Sequence, residues 1–312
     1  MKEFDFVVPA STANLGPGFG VLGLALDMPY RVKVRESDVE GMVVERPGAL
    51  LGTALDMRHD ALLRSLRAAT DRWSTKTPRG LSIVVEGIAP RDCGLGTNSA
   101  DYAAGAGIAL RYSNDLPAAD DVLELLVSLG SDPGHGAAAL VGGLAIAIHD
   151  VARARQSKFR ILRAPIAPAW HCVVASPNVE TTTAEGNRIV PATLPHGIVS
   201  RTSGRLAGLL RALETGDESM LAFCLVDESH VPFRLGVAPG IREAIEAATE
   251  AGAAGATISG HGPAIIALTT NSSKCERIAE AARAGFESAG TKSSSWICKP
   301  LEVGAMPTRP EH

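Results

Sequence analysis

The 312-residue chain has few aromatics: Phe, Trp and Tyr together make up 4% of it. Stacking platforms for unpaired bases are therefore not expected. Its five cysteines (Cys93, Cys172, Cys224, Cys275 and Cys298) are odd in number and scattered, with no Cys-x-x-Cys pair. That excludes a zinc ribbon and a disulfide framework and suits a reducing cytoplasm. An excess of one charge is missing as well. A net charge of −4 gives no basic footprint for nucleic acid or an anionic membrane, so neither is expected as a partner. No apolar run reaches the length of a membrane span, and the first six residues carry acids where a secretion signal needs an apolar core.

Several catalytic signatures are absent too. There is no Gly-Lys-Ser/Thr, and Gly290-Thr291-Lys292-Ser293 has the wrong spacing for a Walker loop. Gly94-Leu95-Gly96 lacks the third Rossmann glycine, with Ser99 in its place. Neither His-Glu-x-x-His nor Gly-x-Ser-x-Gly occurs, and the eight histidines are dispersed. A serine-hydrolase triad and a metal held by protein ligands alone both lack an anchor.

What is there is an ordinary globular composition, 46% apolar, with length for one large or two medium domains. Apolar and β-branched runs predict strands at 4–9, 21–34, 81–87, 144–148, 170–175, 264–268 and 295–298. Helical spacing predicts helices at 60–73, 100–111, 117–129, 198–214, 220–226, 241–251 and 273–289, with a short one at 181–188. Pro117 is expected in the first turn of its helix. The elements interleave without strict β-α-β alternation, so the class is α+β in two parts. A basic stretch at 151–160 lies near the midpoint, and the expected division is 1–158 and 159–312.

Small-residue stretches punctuate this pattern. Residues 10–20 form a long loop, 130–136 a Gly-rich turn, and 255–263 a further Gly-rich loop. The stretch 90–100 joins a strand to an Ala- and Gly-rich helix. Its glycines and small polar residues suit a phosphate cradle, because the first N–H groups of a helix lack partners and sit at its positive end. The same residues also suit a plain N-terminal cap. Glu124 stands inside an apolar helical pattern, either as a site carboxylate or on the solvent edge.

The ordered set of loops resembles the GHMP kinases, and among them the homoserine kinases. Residues 9–19, Pro-Ala-Ser-Thr-Ala-Asn-Leu-Gly-Pro-Gly-Phe, match that family's first motif almost throughout. Gly94 to Ser99 matches Gly-Leu-Gly-Ser-Ser-Ala with changes, and Ser259 to Pro263 matches the third motif with His261 substituted. Pro232-Phe233-Arg234 followed by Pro239-Gly240 fits a further element, and the likeness covers nearly the whole chain. It implies a two-lobed α+β fold, the N-terminal lobe with a left-handed β-α-β unit and the C-terminal lobe ferredoxin-like. It implies ATP with Mg2+, transfer of a phosphoryl group to a small-molecule alcohol, and a homodimer.

Residue by residue, the resemblance puts the triphosphate at Pro90, Gly94, Leu95, Gly96, Thr97, Asn98 and Ser99. It puts magnesium at Asn98 and Glu124, and the acceptor at Asn14, Gly20, His135, Arg188, Arg234, Ser259 and Gly260. Departures fall mostly on the acceptor side. Asn98 replaces a serine, and Gly20 replaces the acid that holds the substrate ammonium in homoserine kinases. The family's His-x-Asp-Asn becomes Asp132-Pro133-Gly134-His135. Asp132 then stands as a replacement ammonium partner, a base, or a turn residue before Pro133. The expected function is a homoserine kinase. Alternatives are a kinase for another hydroxylated acceptor such as threonine, and an inactive ligand-binding relative.

Overall fold

A computed structural model describes residues 2–47, 60–87, 89–150, 159–179 and 189–307. The first half builds β1 (Glu3–Ala13), β2 (Leu22–Glu36), β3 (Gly41–Glu45), α1 (Ala61–Trp73), β4 (Gly80–Glu86), α2 (Thr97–Leu110), α3 (Ala119–Ser128), α4 (Pro133–Val141) and β5 (Leu144–His149). Then follow β6 (Phe159–Ala164), β7 (His171–Pro177), α5 (His196–Thr215), α6 (Glu218–Cys224), α7 (Val231–Arg234) and α8 (Ile241–Glu250). The chain continues with β8 (Gly255–Ile258), β9 (Ile265–Thr269), α9 (Cys275–Ser288) and β10 (Ser293–Cys298).

Two sheets result. The first runs β3-β4-β2-β5-β6, with β1 also paired to β2. Its one parallel pair is β3–β4, joined through α1, which is the β-α-β unit of this half. The second sheet runs β10-β7-β9-β8 and is antiparallel throughout. Its strands follow a β-α-β-β-α-β course, the ferredoxin-like arrangement expected for the second half.

The first loop is shorter than the sequence suggests. Strand β1 runs on to Ala13, with Ala10 to Ala13 paired to Leu26, Ala25, Leu24 and Gly23 after a register shift at Pro9/Ala10. Proline has no N–H for the ladder, so the irregularity falls there. Helix α2 starts at Thr97 rather than at 100, so Thr97, Asn98 and Ser99 form its first turn. Helix α3 starts at Ala119, which leaves Pro117 ahead of the helix rather than in its first turn. The expected turn at 130–136 is largely helix: Asp132 caps α4, with Pro133 at its first position, where a missing N–H costs nothing. Residues 255–258 are strand, which shortens the third loop to 259–263.

Strands β3 and β6 lack a clear period-2 apolar signal, because both are half exposed. Strand β6 lies beyond the expected boundary at 158 yet pairs with β5, so the change of sheet falls between Ala164 and His171. The helix predicted at 181–188 lies outside the described residues.

Helix α2 is buried along almost its whole length, which explains why it is rich in Ala and Gly after its first turns and lacks an exposed polar face. It packs on α1 so closely that a Cβ on Gly105 would clash with Leu62 O and lie 2.7 Å from Leu66 N. Gly105→Val therefore forces the two helices apart. Urea unfolding is expected to show a loss of about 1–3 kcal/mol or more, the usual cost of overpacking; an unchanged midpoint would contradict this packing.

Candidate functional site

Strand β1 brings Ser11 and Thr12 to its buried end, and the chain then enters the left-handed region at Asn14 (φ 70°), which asparagine tolerates. Asn14 is fully buried and acts as a clasp. Its Oδ1 accepts from Gly20 N at 2.9 Å, and its Nδ2 donates to Gly260 O at 2.8 Å. The first and third loops are thereby tied together.

The second loop wedges between them. Ser11 N donates to Leu95 O at 3.1 Å, and Ala264 N to Cys93 O at 2.8 Å. Ser259 Oγ donates to Gly94 O at 2.7 Å and lies 2.9 Å from Thr12 Oγ1. Gly94 (φ 93°) and Gly96 (φ 65°) are left-handed, and a Cβ on either would clash, with Ser259 O and Ser11 Oγ respectively. Pro90 closes the loop's start, its carbonyl accepting from Cys93 Sγ at 3.3 Å. The outcome is a helix whose N-cap, Gly96, contributes no side-chain cap and whose first turn holds no acid. The first N–H groups of α2 are left available to an anion. Ser99 is held by Ser131 Oγ at 2.8 Å.

These N–H groups open on a cavity of about 170 Å3 whose far wall is Asp132, His135 and His261, with Asp92 at one side. Asp132 Oδ1 accepts from His135 N at 3.1 Å as the cap of α4. His135 is buried and its Nδ1 lies 2.8 Å from Ser11 Oγ. Burial pushes its pKa below the usual histidine value, with Asp132 opposing. Burial also pushes His261 down to about 4, against the pull of Asp132.

Behind this wall lie Arg234 and His230, both fully buried. Arg234 Nη1 donates to Gly260 O at 2.9 Å, and its guanidinium lies 5.2 Å from the centre of the Phe19 ring. Burial lowers its pKa to about 10, with Asp132 and Asp227 opposing, so it keeps its charge at neutral pH. His230 Nε2 lies 2.8 Å from Gly16 O, an acceptor only, so that nitrogen carries the proton and Nδ1 faces Arg234 Nη1 at 3.3 Å as acceptor. Asp227 receives Ser229 Oγ and the backbone N–H groups of His230 and Val231.

The structure thus gathers Gly94, Gly96, Thr97, Asn98 and Ser99 at one wall and Asp132 and His135 at the other, while the Leu95 side chain is buried in the core and Pro90 is not among the lining residues. Asn14, Ser259 and Gly260 lock the loops, and Gly20 sits at the clasp with open space beyond its Cα. Asn98 is exposed and already engaged: Oδ1 accepts from Arg91 Nη2 at 3.2 Å, and Nδ2 donates to Asp92 Oδ1 at 3.3 Å. Glu124 is not among the cavity's lining residues, and its carboxylate pairs with Arg72 at 3.4 Å. Among the described residues no group of three or more His, Cys, Asp or Glu is arranged to hold a metal. Arg188 lies outside the described residues. His230, Asp227 and Asp92 carry no sequence signal of their own. His261 is marked only as the substituted position of the third loop.

The family model described as GHMP kinases C terminal matches residues 209–288. The homoserine kinase of Synechococcus sp. (strain WH7803) is 33% identical over 304 residues, 96% of this chain and 93% of that protein. The homoserine kinase of Carboxydothermus hydrogenoformans is 30% identical over 301 residues, 96% of this chain and 95% of its own. Among solved structures, homoserine kinase from Cytophaga hutchinsonii superposes with a TM-score of 0.82 at 24% identity, covering 97% of each chain. L. major mevalonate kinase in complex with R-mevalonate gives 0.71 at 14% identity over 96% of this chain and 97% of that one.

The buried histidines set a pH dependence. Their folded pKa values lie below the unfolded value, so the unfolded chain takes up protons first as the pH falls below about 6.5. Stability is complete above that pH and drops on acidification until the folded-state groups also protonate, near 4 for His261. Each such histidine contributes a slope of up to ~1.4 kcal/mol per pH unit. The urea midpoint is expected to fall between pH 6.5 and 5, and to fall less steeply in His261→Ser. Equal slopes would show that His261 is not held neutral by burial.

Proposed function

We propose that this chain, which belongs to the homoserine kinase family of the GHMP kinases, phosphorylates the side-chain hydroxyl of L-homoserine. Membership makes the chain an ATP-using phosphotransferase with an alcohol acceptor. The observation that supports the acceptor is the cavity itself, where helix N–H groups face a carboxylate wall backed by a buried arginine.

In this reading Pro90, Gly94, Leu95, Gly96, Thr97, Asn98 and Ser99 hold the triphosphate. Their glycine geometry and the uncapped start of α2 fit a polyanion. ATP supplies the γ-phosphoryl group: its bond to the β-phosphate oxygen breaks, a bond to the acceptor oxygen forms, and the hydroxyl proton is released. Such a transfer asks the protein chiefly to position and neutralise charge. Arg234 supplies positive charge for the acceptor carboxylate, with Arg188 as a second candidate. Asp132 is the charged group of the acceptor wall, and His135, Ser259, Gly260, Asn14 and Gly20 shape the space around it.

Magnesium, as part of this proposal, takes Asn98 and Glu124 as its protein ligands. Both offer hard oxygens, and Mg2+ commonly binds one or two such groups together with substrate phosphates. Each oxygen is held by an arginine in the structure, Arg91 or Arg72, so ligation requires those contacts to yield. A cytoplasmic setting is supported by five free, buried thiols. The homodimer rests on the family resemblance alone.

The direct test is phosphorus NMR of the protein with ATP, Mg2+ and L-homoserine. A phosphomonoester product with stoichiometric ADP is expected; ADP no higher than without acceptor would overturn the reading. A second prediction separates the two roles of Glu124. Glu124→Gln keeps size but removes the charge, and it is expected to raise the half-saturating Mg2+ concentration about tenfold or more. An unchanged magnesium profile would leave Glu124 as a structural partner of Arg72 only.

A further inference from the structure

Asp132 and His261 come from different halves of the chain and face each other across the cavity. Asp132 caps α4, while His261 stands in the loop between β8 and β9. Their side chains are 12% and 11% exposed, and Asp132 Oδ2 lies 4.0 Å from His261 Nε2. That gap is too long for a hydrogen bond. Among the described residues, neither Oδ2 nor either ring nitrogen of His261 enters a hydrogen bond, whereas Asp132 Oδ1 is occupied by His135 N. Two polar atoms without a hydrogen-bond partner among the described residues thus point into one cavity lined by polar residues.

The chemistry of the gap selects the ligand. A donor placed at about 2.9 Å from both atoms sees them at an angle of roughly 90°, within reach of one group carrying several N–H bonds. A primary ammonium has three. A hydroxyl has one and satisfies only one arm. The groups that face His261 are Asp132, Arg234, His135 and His230, with Asp92 on the same cavity wall. Arg234 already donates to Gly260 O, and His230 is fixed between Gly16 O and Arg234. His135 Nδ1 is committed to Ser11 Oγ. The bonds of these three side chains leave Asp132 Oδ2 without a donor, and the Arg234 charge acts on Asp132 through space.

We infer that Asp132 and His261 form a two-acceptor fork for the primary ammonium of the acceptor, the counter-charge that Gly20 does not provide. The inference rests on the homoserine reading above and assigns one end of that substrate. It also gives His261 a reason to stand in a loop otherwise made of small residues. As a neutral ring it accepts at Nε2 without competing for Asp132, and its bulk closes the wall behind the amine. With the ammonium on the fork and the carboxylate drawn to Arg234, the side-chain hydroxyl is the part of homoserine left to face the start of α2.

The test compares L-homoserine with 4-hydroxybutyrate, the same chain without the amine, by kcat/KM. The wild type is expected to prefer homoserine about 100-fold or more, since a site built for an N–H group rejects the analogue that lacks it. Asp132→Asn, which retains a capping oxygen, and His261→Ser are each expected to cut that ratio about tenfold or more, through KM for homoserine. Gly20→Asp, placed in open space, is expected to restore part of the ratio in either background. Homoserine turnover with an unchanged ratio in both variants would overturn the fork. So would an equal loss of kcat for both acceptors, which would instead assign the pair to the hydroxyl proton. If the wild type turns over neither compound, the kinase reading fails. Calorimetric binding of the two compounds then judges the fork separately, with equal affinities counting against it.

Discussion

The hydrogen-bonded contact between three loops governs this structure. Leu95 lies against Ser11, Gly94 against Ser259, and Asn14 binds both Gly20 and Gly260. At Gly94 and Gly96 there is no room for a β-carbon. The glycines are therefore demanded twice over, by the left-handed backbone and by the atoms of Ser259, Ser11 and His135 packed against them, before any ligand is considered. This contact fixes where α2 begins. Everything the cavity offers an anion follows from that start.

A second layer of charge holds the cradle from outside. Arg46 pairs with Asp60, the cap of α1, and with Asp101 on α2, while Arg91 joins Asp101 to the loop. These pairs are largely buried, so removing one partner would strand an uncompensated charge, at about 3–5 kcal/mol. Inside the cavity the arrangement differs. The histidines are held neutral, the arginine sits behind the wall, and Asp132 Oδ2 accepts no hydrogen bond from the described residues. The outer network stabilises the loop, and the inner wall keeps its charge for a ligand.

Much of this was legible in the residues. The first motif, Pro9 to Phe19, located the Asn14 clasp, and Gly94-Leu95-Gly96 located the start of α2 to within three residues. Most strands and most helices declared themselves by their residue pattern. The ends of elements did not: β1 continues through small residues because β2 offers it partners, a tertiary fact that no local pattern encodes. Asp132-Pro133-Gly134 reads as a turn, yet the same Asp-Pro pair is equally good chemistry for opening a helix. The half-exposed strands β3 and β6 lack the alternation that reveals a strand with one buried face. In the site, substitutions spoke more clearly than matches. Gly20 announced a missing charge and His261 an extra ring, but only the fold sets His261 4.0 Å from Asp132.

One cavity is expected to receive phosphate from the α2 side and an amino-acid acceptor from the Asp132 side. A crystal structure with a non-hydrolysable ATP analogue, magnesium and L-homoserine tests it most directly. The terminal phosphates are predicted against the N–H groups of Thr97, Asn98 and Ser99, with the acceptor hydroxyl pointing at them. Triphosphate density elsewhere on the chain, or homoserine bound away from Asp132 and Arg234, would contradict it.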